Sequence, residues 1–413
     1  MNFKVLALVM IGVMFVFDIV LKYLDVKSTD RETPDNVKDL FNPEEYKTWM
    51  AYHKEKCKLS FSRIFVSNIV TLLVIGFDVY ALLLGVTGLS DDLYGAAVIV
   101  TLLDIVIGMI WSVPYSYIDN MKIEAKYGFN RMTNKTFVVD LVKEFIINAC
   151  VMCGLICLFI VIHQAMGNLL LVVFTAIAML ILLVMVFLSP VLTRIFNKLT
   201  PLEEGELRDR LTKLLEDNNC SVSQISVTDG SRRSTKANAY FGGFGKMKTI
   251  VLYDTLIEQM TEDEIVAVFA HEMGHNKHKD TLKLYGMNII NISLMVFMAW
   301  ALVSFPEIYT YFGFEGVNYG FAFILLGSVC MSFVSPLIGL FINAMSRKFE
   351  YKADQFAAEN GYGEALISGL KKLHKNSFSN LNPHPLLVKM FYNHPTLSER
   401  IDAVTAYMEG ENK

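Results

Sequence analysis

Residues 169–188 read LLLVVFTAIAMLILLVMVFL. The run carries no charge, and it matches the roughly 20 apolar residues that a helix needs to cross about 30 Å of hydrocarbon. Working outward, six further runs of this kind occur: Phe3 to Leu21, Phe61 to Leu84, Ala96 to Tyr117, Phe145 to Ile162, Tyr285 to Val303 and Phe321 to Ile342. Only His163 to Asn168 divides the fourth run from the fifth, so those two read as a helical hairpin. Phe3 to Leu21 lacks a small-x-small cleavage site and is read as a span, not a signal peptide. Composition agrees. Of 413 residues, 53% are hydrophobic and 19% charged, against about 25% charged in soluble domains. A net charge of −4 gives no case for nucleic acid.

The placement of Lys and Arg tests the span count independently. The segment after the first span carries Lys22, Lys27, Arg31, Lys38, Lys47, Lys54, Lys56 and Lys58, and the one after the third carries Lys122, Lys126, Arg131, Lys135 and Lys143. The segments after spans two, four and six carry none. The stretches 189–284 and 343–413 are both rich in Lys and Arg. Of the 37 basic residues, Lys4 alone falls on the far side. Alternation of this kind predicts an N-out, C-in protein of seven spans.

Four regions follow. Residues 1–188 hold spans one to five with their basic loops. Residues 189–284 form a first cytoplasmic segment, 285–342 hold spans six and seven, and 343–413 form a second cytoplasmic segment. Within the first of these, Ser221 to Thr228 and Thr249 to Tyr253 have the alternation of strands. Asn238 to Gly243 reads as a strand ending in a glycine turn, and Pro201 to Asp217 as an amphipathic helix. The six cysteines suggest no disulfide framework. Cys57 and Cys220 fall on the reducing side, and Cys150, Cys153 and Cys157 read as small packing residues on one face of span four.

His271-Glu272-Met273-Gly274-His275 is an H-E-x-x-H sequence. Helical i, i+4 spacing puts both imidazoles on one face, close enough to share a Zn²⁺, with Glu272 placed to reach a metal-bound water. Thr261 with Glu264 forms a capping box that starts a helix at the right place. A catalytic zinc takes a third protein ligand. His278, Asp280, Glu350 and Asp354 are the candidates, and His278 lies too far along the helix axis. Glu350 and Asp354 share a helical face, so one can bind metal while the other accepts the distal N–H of a ligand histidine. Spacing alone leaves the choice open.

The chain resembles the Ste24 family of integral-membrane zinc metalloproteases, the type I CAAX prenyl endopeptidases. The matching pieces are Glu124 to Asn130, Ser234 to Phe241, His271 to His275, Glu350 to Asp354, Asn382 to Pro385, and Asn393 to Thr396 through Glu399-Arg400. The resemblance implies a mainly α, polytopic membrane protein of seven transmembrane helices, with a cytoplasmic zincin-like protease domain and a small β-sheet. It implies one Zn²⁺ held by His271, His275 and Glu350, with Glu272 as general base and Asp354 bonded to a ligand histidine. Asn238, Ala239 and Tyr240 would border the substrate cleft, their strand edge open to an extended peptide. His394 would stabilise the oxyanion, and Arg400 would pair with a carboxylate of the peptide or of a ligand.

The implied partners are the lipid bilayer and a peptide or protein substrate. A prenylated C-terminal CAAX protein is the leading substrate class. A membrane-protein quality-control protease without a prenyl requirement is the enzymatic alternative, and an inactive transporter or scaffold on the same fold is the non-enzymatic one. The active site is expected in the cytoplasm, at a bacterial cytoplasmic membrane or alternatively at an ER membrane. Asp18, Asp78 and Asp104 lie within spans and are compatible with a polar chamber among the helices.

Overall fold

The structure is a computed structural model that describes residues 2–196, 198–220, 224–242 and 249–410. The chain is mainly helical. In the first half, α1 spans Phe3–Ser28, α2 Pro43–Gly76, α3 Val79–Thr87, α4 Leu93–Tyr117, α5 Asn134–Met166 and α6 Leu170–Phe196. The strands β1 (Leu199–Pro201), β2 (Gln224–Thr228), β3 (Ala239–Gly242) and β4 (Thr249–Tyr253) follow, with α7 (Glu206–Asp217) between β1 and β2. Then come α8 (Asp254–Gln259), α9 (Glu262–Lys277), α10 (Asp280–Val303), α11 (Glu307–Thr310), α12 (Tyr319–Leu325) and α13 (Met331–Glu359). Last are α14 (Gly363–Ser377), α15 (Pro385–Phe391) and α16 (Leu397–Met408).

Among the described residues, six continuous helical stretches are long and apolar enough to cross a membrane. One of them, Asn134–Met185, has 52 residues and is too long for one crossing. Gly167 takes a left-handed φ of 53° and breaks it into α5 and α6, and Phe159 meets Phe174 across the break with ring centroids 5.1 Å apart. This is the hairpin read at 163–168, and it makes the crossings seven. Their facing sides bury Ile75, Tyr80, Val100, Phe159, Ile160, Phe312 and Phe321 in one apolar cluster.

Two local readings differ from the structure. The second span is not one helix from Phe61 to Leu84. α2 begins at Pro43, behind an Asn42 capping box, and stops at Gly76. Asp78 then takes a left-handed φ of 56°, with its carboxylate 2.8 Å from Lys4 Nζ. Pro201 does not start a helix either. Leu199–Pro201 pairs with β2, and the amphipathic helix begins at Glu206. Periodicity cannot place a proline between strand end and helix start, because its fixed φ suits both.

The four strands lie in the order β1-β2-β4-β3. β2 and β4 are parallel, with Ser226 opposite Val251, and β3 runs antiparallel to β4, with Tyr240 opposite Val251. The part of the first strand reading at 221–223 lies outside the described residues. A second apolar cluster joins β4, α9, α13, α14 and α16 through Ile250, Val266, Phe269, Phe356, Leu366 and Leu397. α9, the helix of the H-E-x-x-H sequence, is its centre.

Candidate metal and active site

α9 starts where the capping box predicts. Thr261 Oγ1 accepts from the Glu264 backbone N–H, and the Glu264 carboxylate accepts from Thr261 N. Glu264 is itself buried and bonded to Ser368 and Lys372 of α14, both at 2.7 Å, so the cap also locks α9 to its neighbour. Two turns on, His271 and His275 project side by side, with ring centroids 4.8 Å apart.

Glu350 comes from α13, the helix that forms the seventh crossing. The apolar run and the acidic motif are therefore one continuous rod, Tyr319–Glu359, interrupted only by a π turn at Leu326–Cys330. Its carboxylate oxygens lie 3.5 Å from His271 Nε2 and 3.2 Å from His275 Nε2. The three side chains converge with ligand atoms within 4.8 Å of one another.

Each imidazole is fixed from behind. His271 Nδ1 lies 2.8 Å from Asp354 Oδ1. The Asp354 carboxylate takes two bonds from Arg400 as well, at 2.8 and 2.5 Å. Arg400 is buried, and its other terminal nitrogen is 3.6 Å from Glu350. The guanidinium thus meets two site carboxylates of this chain. His275 Nδ1 meets Asp280 Oδ2 at 3.1 Å, and Lys283 holds the other oxygen of Asp280 at 3.0 Å. Asp280 reaches back because Lys279 takes a left-handed φ of 56° and turns the chain between α9 and α10. Sequence reasoning had Asp280 only as a possible ligand. The clue to its actual position was a carboxylate five residues past His275 at the head of a membrane span.

The donor set suits a divalent metal. Two imidazole nitrogens and one carboxylate leave an open position, the pattern of catalytic zinc. Buried Glu350 Oε2 makes no well-aligned hydrogen bond among the described residues and faces only imidazole and guanidinium nitrogens, His394 at 2.8 Å, His271 at 3.5 Å and Arg400 at 3.6 Å, so it has lone-pair capacity that a cation would use. Burial disfavours a charged His275, yet the adjacent Glu350 carboxylate pushes its pKa up to about 9, so the pocket stabilises positive charge. Burial pushes the Glu272 carboxyl up, against the pull of His271 and His275.

His394 sits on the loop before α16, more than half exposed, with Nδ1 2.8 Å from Glu350 Oε2. The loop is tied down by a residue that sequence reasoning missed. Arg347, one turn before Glu350 on α13, donates to the carbonyls of Val388 at 2.9 Å and Tyr392 at 2.7 Å. Asn238 is exposed, and its carbonyl accepts from Tyr253 N. Ala239 and Tyr240 begin β3, which among the described residues pairs with β4 and is the edge strand of the sheet.

The segment before β3 is clamped to the loop after α4. Asn130 bridges Ser234, and Thr235 N donates to Phe129 O. Buried Glu124 takes Tyr52 at 2.6 Å, Lys236 at 2.9 Å and Lys56 at 3.0 Å. Two of the stretches that carried the resemblance, 124–130 and 234–241, are thus one contact region.

A multi-pass helical bundle in which a glutamate at the end of a membrane rod faces the two histidines of an H-E-x-x-H helix defines the class, an integral-membrane metalloprotease. Comparison with known proteins is specific. Residues 201–408 match the model for peptidase family M48, and residues 22–198 match that for the CAAX prenyl protease N-terminal domain, described as five membrane helices. The chain belongs to peptidase family M48, in the branch of the CAAX prenyl protease 1 homologues. The Arabidopsis thaliana CAAX prenyl protease 1 homolog is 32% identical over 98% of this chain and 97% of its own length. The Oryza sativa homolog is 36% identical over 72% of this chain and 71% of its own. In fold, the chain is similar to the crystal structure of S. mikatae Ste24p, with a TM-score of 0.91, 24% identity, and coverage of 98% of this chain and 99% of that one.

Proposed function

We propose that the chain is a zinc endopeptidase in which His271, His275 and Glu350 hold the metal and Glu272 is the general base. The reading rests on one observation above all: each histidine has one ring nitrogen turned towards Glu350 and the other pinned by a buried carboxylate. That is how ligand histidines are usually oriented. When bound, the zinc supplies Lewis acidity and makes a nucleophile of water at neutral pH.

The remaining work belongs to the chain. Glu272 takes a proton from the attacking water and returns it to the leaving nitrogen, and its raised pKa suits both transfers. His394, held over Glu350, donates to the oxyanion. The edge strand β3, with Asn238, Ala239 and Tyr240, binds an extended peptide through its backbone. Arg400 keeps Asp354 ionised against His271 and does not bind substrate in this reading.

The names of the relatives support a prenylated CAAX protein as substrate, and the basic loops support a cytoplasmic site. Purified protein loaded with zinc is expected to cut a farnesylated C-terminal CAAX peptide faster than the same peptide without the farnesyl group. Equal rates would remove the prenyl requirement and leave a membrane-protein quality-control protease. No cleavage of either, with zinc bound, would refute the enzymatic reading.

A further inference from the structure

A second convergence of ligand-type side chains lies well apart in sequence from the first. His53 and Cys57 are four residues apart on α2 and share a face of that helix. Asp25 approaches them from the last turns of α1. His53 Nε2 is 3.3 Å from Cys57 Sγ. Cys57 Sγ is 3.8 Å from Asp25 Oδ2, and His53 Nε2 is 3.9 Å from Asp25 Oδ1. Among the described residues this is the one other group besides His271, His275 and Glu350 whose ligand atoms fall within 4.8 Å of one another.

We propose that Asp25, His53 and Cys57 form a second divalent-metal site, which takes a zinc-class ion and staples α1 to α2. The spacing supports it. Zinc binds imidazole nitrogen and carboxylate oxygen at about 2.0–2.2 Å and thiolate sulfur at about 2.3 Å, so donors around a tetrahedral ion stand about 3.3–3.6 Å apart. The nitrogen-to-sulfur separation already has that value, the separation of the imidazole nitrogen from Asp25 Oδ1 needs to close by a few tenths of an ångström, and one donor atom from each residue lies within 4.8 Å of the other two. The chemistry selects the ion: one soft thiolate, one imidazole and one carboxylate suit zinc and not magnesium or calcium.

The surroundings are built to hold the donors. Cys57 is buried. The His53 ring stacks on Trp49 at 5.5 Å, nearly parallel, and Trp49 is itself fixed by a bond from its indole nitrogen to Phe378 O. Lys22 Nζ holds Asp25 Oδ2 at 2.6 Å, which leaves Oδ1 for an ion. With the thiol ionised, Asp25, Cys57 and Lys22 sum to one negative charge facing the dication. A cavity of about 250 Å³, lined by Lys22, Asp25 and Tyr392, opens beside Asp25 and gives room for a fourth ligand such as water. Binding exchanges the Cys57 thiol proton for the metal, and the proton leaves to solvent.

The His271–His275–Glu350 centre offers nitrogen and oxygen donors only, so sulfur distinguishes the two sites. Full-length protein, stripped of metal in detergent, would be titrated with Co²⁺ and followed by absorbance. Wild-type protein is expected to bind two equivalents and to develop a thiolate-to-cobalt charge-transfer band in the near ultraviolet. Cys57→Ser should bind one equivalent and lose the band, and His53→Gln should weaken it at least tenfold in cobalt affinity. Absence of the band in wild-type protein would overturn the proposal whatever the variants do. So would a band that persists in Cys57→Ser, because it would then arise from another thiol. Neither outcome bears on peptide cleavage at Glu272.

Discussion

Gly274 and Ala353 meet backbone to backbone: a Cβ on Gly274 would lie 2.8 Å from Ala353 Cα and 3.1 Å from Phe356 Cβ. The contact falls between His271 and His275 on α9 and between Glu350 and Asp354 on α13. The distance from the imidazoles to the carboxylate is therefore set by the lack of one methyl group. Gly274→Ala is expected to wedge the helices apart, to cost about 1–3 kcal/mol in stability, and to lower metal affinity by more than the stability loss explains. Thermal midpoints and metal content under a competing chelator measure the two effects separately. An Ala variant with unchanged metal affinity would show that the pair does not set the site.

Glu272→Gln keeps the size of the side chain and removes its proton-accepting charge. Peptide hydrolysis should fall by about 10²–10⁴ while bound metal stays at the wild-type level. A variant that cleaves at the wild-type rate would rule Glu272 out as the base.

Asp280 fixes His275 without touching Glu350. Asp280→Ala should weaken metal binding about 10–100-fold. Lys283→Ala, which removes the exposed partner of Asp280 and a cation–π contact with Phe349, should change stability by about 1 kcal/mol. Metal titration of both variants distinguishes loss of the histidine's support from loss of a surface charge pair.

His374 on α14 supplies a pH dependence outside the ligand set. Burial lowers its pKa from 6.5 to about 4, although the bond to Leu370 O opposes the shift. The unfolded chain takes up the proton as pH falls through about 6.5, and the folded chain does so only near 4. Stability should therefore drop across that window, by about 3 kcal/mol at its lower end. His374→Gln should flatten the midpoint-against-pH curve there. A curve of unchanged slope would mean that another group is responsible.

The membrane spans and the pairing of His271 with His275 were legible because their signals are local or periodic. Seven runs can be read from hydropathy, and His271 with His275 from helical spacing. Glu350 needed the resemblance, since spacing alone does not tell it from Asp354. Asp280 and Arg347 were not legible in those roles. Asp280 depends on the left-handed turn at Lys279, and non-glycine residues adopt that conformation too seldom for it to be assumed. Arg347 acts through three carbonyls more than 40 residues away in sequence, and backbone acceptors leave no trace in side-chain pattern. The break at Asp78 escaped for the same reason: an apolar run records burial, not the continuity of its helix.

Glu350 rides on the same rod that spans the bilayer, and Asp280 heads the other rod beside it. The catalytic half is therefore no passenger on a lipid anchor. Cutting at the membrane surface would sever both levers that grip His275, so a soluble fragment should lose its metal before it loses its fold. The same mechanics make the bilayer a working part. Where lipid thickness or a bound tail tilts one rod against the other, the opening of the cage changes with it, and the surrounding membrane can set how tightly the ion is held.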